Sequence, residues 1–225
     1  MSKQSNFPRR TLSAFILCAS VFGASAAQAS YYFNFDGVTA GTTANAAIGT
    51  AFPNVSFANA VFAPNLDIYG SDIPGTEHWQ VDADPTTPAV IVENPLSYSR
   101  GAAPSGTNAL NALWQPVLMQ FSTPINLSSF AATQENSSFG LLAPAHLLFL
   151  DSAGAVLKDV AFDQTIPGFT ITTGAFSGNV SSIVLPSGKF YDNMNVNVSA
   201  VPIPAAWVLL SSGLMFLGYK RKRTT

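Results

Sequence analysis

The chain has 225 residues, 48% of them hydrophobic and 10% charged, with a formal net charge of -2 and a single cysteine. Charge is gathered in blocks: between Ser30 and Tyr219 the basic residues are Arg100, Lys158 and Lys189, against all 12 carboxylates, a net of -9. Such a surface repels a phosphate backbone, so nucleic acid is not an expected partner. The lone Cys18 leaves the rest of the chain no disulfide framework and no thiolate metal centre.

At the N-terminus, Lys3, Arg9 and Arg10 precede an apolar stretch from about Leu12 to Phe22, followed by Ala24-Ser25-Ala26-Ala27-Gln28-Ala29. A basic start, a short apolar run and a small-x-small triplet describe a secretory signal peptide over residues 1–29. Ala27 and Ala29 supply the two small side chains that a signal peptidase pocket accepts, which starts the mature chain at Ser30. A first transmembrane helix is the competing reading, but the run is shorter than the ~20 residues a bilayer requires. Phe15-Ile16-Leu17 offers no small residue ahead of Cys18, so no lipid anchor is expected there.

Residues 30–199 show short alternating or β-branched segments separated by Gly, Pro, Asn and Asp, with no long stretch at helical period. The pattern predicts strands at Tyr31–Asp36, Val55–Phe62, Trp79–Asp82, Ala89–Glu93, Val117–Ser122, Ser129–Thr133, His146–Asp151, Val156–Phe162, Phe169–Thr173, Ser182–Leu185 and Tyr191–Ser199. The clearest hairpin joins Leu147–Leu150 to Ala155–Leu157 through Asp151-Ser152-Ala153-Gly154, where Asp opens the turn and Gly accepts positive φ. So many short strands in about 170 residues predict an all-β fold, a two-sheet antiparallel sandwich of jelly-roll-like type.

Few of the residues in this domain carry recognisable chemistry. His78 and His146 lie far apart and in no metal-ligand spacing, and there is no Gly-x-Ser-x-Gly elbow or phosphate-cradling loop, so no catalytic residue set is assigned. A glycoside hydrolase or lyase would require two carboxylates ~5–9 Å apart in a groove. Asp82-Ala83-Asp84 gathers carboxylates in a Pro-rich loop, and Asp36 would approach Asp192 if the first and last strands pair. Hard oxygen donors of this kind suit calcium, which is the one cofactor considered, although the EF-hand spacing is absent. Trp79 and Trp114, with neighbouring Asn and Asp, have the chemistry of a sugar-stacking platform, since an aromatic face complements the C–H face of a pyranose. That is the basis for a carbohydrate-binding alternative. The Asn-x-Ser sequences starting at Asn54, Asn126, Asn136, Asn179 and Asn197 are expected by chance in a chain rich in both residues.

After the domain, residues 200–225 carry Val201-Pro202-Ile203-Pro204, an apolar stretch from Ala205 to Tyr219, and the cluster Lys220-Arg221-Lys222-Arg223. Pro204 suits the first turn of a helix, so a hydrophobic helix over about 205–219 is predicted. Fifteen or so residues cover about 22 Å, short for a bilayer, with Trp207 and Tyr219 placed for its two interfaces. The basic cluster would stop transfer and remain cytoplasmic, leaving the acidic domain on the far side.

These residues resemble the PEP-CTERM sorting signal: the Val-Pro-Ile-Pro motif, a hydrophobic run containing Ser212-Gly213-Leu214, and a terminal Lys/Arg cluster follow in that order. The glutamate of the namesake Pro-Glu-Pro is replaced here, as in Val-Pro-x-Pro variants of the family. The resemblance implies recognition by an exosortase, transient anchoring in the inner membrane with the domain in the periplasm, and delivery to the cell surface or extracellular matrix. It further implies a non-enzymatic, structural or adhesive role in an exopolysaccharide or biofilm setting. The phrases Phe33-Asn34-Phe35-Asp36 and Tyr191–Val196 resemble the first and last strands of ectodomains in this family, which look similar to carbohydrate-binding sandwiches.

Overall fold

In the computed structural model, the described residues are 30–64, 75, 77–137, 145–174 and 178–199, all within one unit, Gln28–Ser199. The expected signal peptide with Ala27 and Ala29, the motif Val201–Pro204 and the cluster Lys220–Arg223 lie outside them. Among the described residues no helix is long and apolar enough to cross a membrane; the predicted helix over 205–219 falls beyond that set.

The organising element is β6, Val117–Gln134, 18 residues long. Its first half pairs with β2 (Val55–Ala63) on one side and β10 (Asn179–Leu185) on the other. Its second half pairs with β11 (Lys189–Val198) and β9 (Thr170–Thr172). One strand therefore serves two layers. The first layer continues from β11 to β1 (Ser30–Phe33) and β5 (Ala109–Ala112), with β4 (Val92–Glu93) beyond β5. The second runs β3 (His78–Val81), β2, β6, β10, β7 (Ala145–Leu150) and β8 (Val156–Phe162). Every pairing named is antiparallel, and the fold is an all-β sandwich as the alternation predicts.

Alternation also decides what lies between the layers. Val117, Met119 and Phe121 of β6, Ile183 and Leu185 of β10, and Leu147 and Phe149 of β7 all join the main core, as period-2 strands require. Phe130 of the first layer meets Phe149 of the second edge-on at 5.7 Å between ring centroids, and Phe33 meets Phe57 at 5.9 Å. Buried aromatics of this size dominate the energetics of such a core.

The sequence reading and the structure part in three places. The segments Val117–Ser122 and Ser129–Thr133 are one strand, because Pro124 sits where β10 changes register: Val180 opposes Ile125 while Ser182 opposes Gln120. A bulge tolerates a residue without an N–H to donate. Strand β5 and the one-turn helix α1 (Ala44–Ile48), whose N-cap Thr43 hydroxyl accepts from the Ala46 N–H, were not anticipated. The hairpin between β7 and β8 forms as predicted: the Asp151 carboxylate accepts from the N–H groups of Ala153 and Ala155, and Gly154 has φ +79.

Candidate functional site

Because Val117, Met119 and Phe121 point inward, Leu118 and Gln120 point out of the sandwich. The outward face of the second layer is itself partly apolar: Ala60, Leu118, Leu150 and Val184 form a second buried cluster. Its cover is the β2–β3 ribbon, in which Phe62 stands opposite Trp79 with ring centroids 5.5 Å apart. Trp79 packs on the cluster while remaining half-buried, and Phe62 is 57% exposed.

Between this ribbon and the β7–β8 turn lies a groove of about 280 Å³. Trp79 and His78 line one wall, Asp151 to Gly154 the other, and Gln120, Ser181 and Ser182 the floor. At one end the turn approaches His78 closely, a Cβ built on Gly154 lying 3.2 Å from its ring. No described residue pairs with the side-chain amides of Gln80 or Gln120, and the buried Ser181 hydroxyl has no partner among the described residues. Ser181 lies where β10 changes register against β6. An indole beside unengaged amides and hydroxyls can stack on an apolar ring face and hydrogen-bond its substituents. Trp114 is 77% exposed and is not among the groove's described lining residues.

Asp151 is the one carboxylate among the groove's described lining residues, and its Oδ1 is engaged by the turn. The two-carboxylate arrangement of a glycosidase is not formed there.

The four aspartates considered for calcium separate into two pairs. Asp82 Oδ1 accepts from the Asp84 N–H, and its Oδ2 accepts from Thr87 Oγ1 and Gln115 Nε2. Asp84 Oδ1 accepts from both the N–H and the hydroxyl of Thr86. These donors favour the ionised form: the Asp84 N–H, then Thr87, hold Asp82 below the usual carboxylate range, and the Thr86 hydroxyl does the same for Asp84. Asp82 and Asp84 thus draw their donors from Thr86, Thr87, Gln115 and the Asp84 N–H.

Asp36 and Asp192, by contrast, are brought together because β1 pairs with β11, Ser30 opposite Asn197 through Phe33 opposite Met194. Asp192 is fully buried, accepting from the Phe35 N–H at 3.1 Å and Ser105 Oγ at 2.8 Å. Burial pushes its carboxyl above the usual range, and the Asp36 charge adds to that. Among the described residues no group of three or more His, Cys, Asp or Glu side chains is placed to hold a metal.

Sequence reasoning missed a third polar site. Glu135, fully buried just after β6, accepts from Arg100 Nη2 at 2.7 Å and Nε at 3.0 Å, and from the Phe190 N–H at 2.7 Å. Lys189 Nζ lies 3.5 Å from the same carboxylate and donates to the Ser137 carbonyl at 2.9 Å. Burial pulls the Lys189 ammonium below its ordinary value while Glu135 opposes that shift. The available signal was scarcity: two of the three basic residues between Ser30 and Tyr219 converge on one acid.

Fold and site together define an all-β sandwich with a grooved outer face. No family model matches the sequence, and no curated protein matches it. Among solved structures the chain is similar to the family 32 carbohydrate-binding module of C. perfringens NanJ, solved in complex with galactose, at 13% identity and a TM-score of 0.29 over 64% of this chain and 93% of that one. It is also similar to a fucolectin from striped bass (Morone saxatilis) serum, at 14% identity and a TM-score of 0.25 over 67% of this chain and 73% of the other. Neither likeness assigns a role to any residue here.

Proposed function

We propose that the sandwich is a non-catalytic module that binds saccharide chains through the groove beside Trp79, and that it does so outside the cytoplasm after export. The observation that carries this reading is the groove itself, where the Trp79 ring stands beside the Gln80 and Gln120 amides. With no Lys or Arg among its described lining residues and an acidic domain around it, the groove favours a neutral saccharide over a uronate. On a jelly-roll-like sandwich this makes an adhesive element suited to an exopolysaccharide layer. The terminal segments support the route: signal peptidase acts at Ala29, the stretch after Pro204 holds the chain in the inner membrane, and an exosortase reads Val201–Pro204.

A glycan array probed with the full chain in mild detergent tests the binding. Neutral oligosaccharides should be retained, and Trp79→Ala should weaken binding at least about tenfold, the equivalent of roughly 1.4 kcal/mol. Absence of saccharide binding, or a Trp79→Ala variant that binds as the parent does, would sink the reading. Delivery is tested separately by mass: coexpression with a cognate exosortase should remove the tail, and an unchanged mass argues against sorting.

A further inference from the structure

We propose that Asp36, Asp192, Asn193 and Ser105 form a calcium site that clasps the first strand of the domain to its last. The inference is independent of the groove and rests on where the chain places oxygen atoms.

Strand β11 changes register between Asp192 and Asn195, and Asn193 has φ +50. This bulge brings two consecutive side chains to one neighbourhood: Ser105 Oγ lies 2.8 Å from Asp192 Oδ2 and 3.2 Å from Asn193 Oδ1. From β1 and the residues after it, Tyr32 Oη donates to Asn193 Oδ1 at 2.5 Å. Asn34 Nδ2 lies 3.4 Å from that same oxygen and 2.9 Å from Asp36 Oδ2. Asp36 and Asp192 thus share a single set of neutral neighbours.

What this set lacks is positive charge. The remaining oxygen of the pair, Asp36 Oδ1, is shielded from solvent and has no hydrogen-bond partner among the described residues. A shielded carboxylate oxygen without a donor is costly unless a cation meets it. Gly106, at φ +51, passes close by: a Cβ built on it would stand 2.4 Å from Asp36 Oδ1. Hard oxygen donors in irregular array, two carboxylates supplemented by an amide and a hydroxyl, fit calcium better than magnesium, which demands near-ideal octahedral geometry. Two carboxylates rather than three or four place the affinity on the order of 10⁻⁴–10⁻³ M, the range of extracellular modules. Calcium at these residues would tie Phe35 and Asp36 to Asp192 and Asn193, locking the chain's opening to its close once the domain has been exported.

The test is thermal unfolding of the full chain in mild detergent, with chelator, with calcium and with magnesium. Calcium well above its dissociation constant should raise the midpoint by about 5–10 °C over the chelated state, and magnesium should not. Asp36→Asn should unfold near the chelated parent's midpoint and lose the calcium response. Should that variant fail to fold, Ser105→Ala keeps both carboxylates and should bind calcium several-fold more weakly by calorimetry. Terbium luminescence sensitised by Tyr32 supplies a readout independent of stability, and it should fall in either variant. An absent calcium shift in the parent chain overturns the proposal, as does an equal response in the parent and the variants.

Discussion

Among the described residues two carboxylates are buried completely, and their surroundings are opposite. Glu135 is met by a guanidinium at two nitrogens, an ammonium and a backbone N–H. Asp192 is met by a hydroxyl and backbone N–H groups, with a second carboxylate nearby. The first is a closed arrangement in which buried charge is compensated from within the chain. The second has no cation, and the neighbouring carboxylate leaves Asp36 Oδ1 shielded and without a hydrogen-bond partner among the described residues. Since a buried charge is tolerated only when paired, hydrogen-bonded or bound to a cation, the difference separates a structural staple from a candidate ligand site.

The largest effect should come from breaking the closed site. Glu135→Ala leaves Arg100 and Lys189 buried without their counter-charge, a change that costs about 3–5 kcal/mol where a buried pair loses one partner. For a domain of this size that lowers the midpoint by roughly 10 °C or more, read by circular dichroism on the full chain. A drop no larger than that of an exposed carboxylate would erase the contrast between Glu135 and Asp192.

The two cations should then rank by geometry. Arg100 reaches Glu135 through two nitrogens and also donates to the Gly188 carbonyl at 2.7 Å, whereas Lys189 stands 3.5 Å away and is already penalised by burial. Arg100→Met should therefore cost about 3 kcal/mol and Lys189→Met about 1–2 kcal/mol, because a bidentate charge-assisted contact outweighs a longer one offset by desolvation. Equal midpoints for the two variants in the same melt would show that both cations share the load evenly.

The Asp192 site was more legible than the closed one. Phe33–Asp36 and Tyr191–Val196 read as the outermost strands, and pairing the ends of a sandwich brings Asp36 to Asp192 by register alone. Glu135 has no such signal, for Arg100 lies 35 residues before it and Lys189 meets it only because β11 returns beside β6. The hairpin at Asp151–Gly154 was legible because its turn is local, with Asp151 bonding its own successors. The continuity of β6 was not, since Pro124 marks a strand's end in a sequence and only the partner's bulge makes it compatible with a continuing one. The groove depends on the β2–β3 ribbon folding over an outward face. Alternation places Leu118 and Gln120 on that face but does not say what covers it.

Exposed aspartates extend the comparison to its mildest case, where neither a cation nor burial is involved. Asp163 Oδ1 accepts from the Thr165 hydroxyl at 2.6 Å and the Thr165 N–H at 2.8 Å, and these bonds hold its carboxyl below the ordinary value of 3.8. A carboxyl depressed on folding contributes stability that is present above the unfolded value and is lost as pH falls through the folded one. Thr165→Val removes the hydroxyl, so the variant should differ most from the parent near neutrality, and the gap should close as the pH drops below the ordinary carboxylate range. Because the group is solvated, the gap should be the smallest of these effects. Melts from pH 7 downward would show it, and a difference that instead widened in acid would mean that Thr165 stabilises the turn by packing rather than by donating to an ionised aspartate.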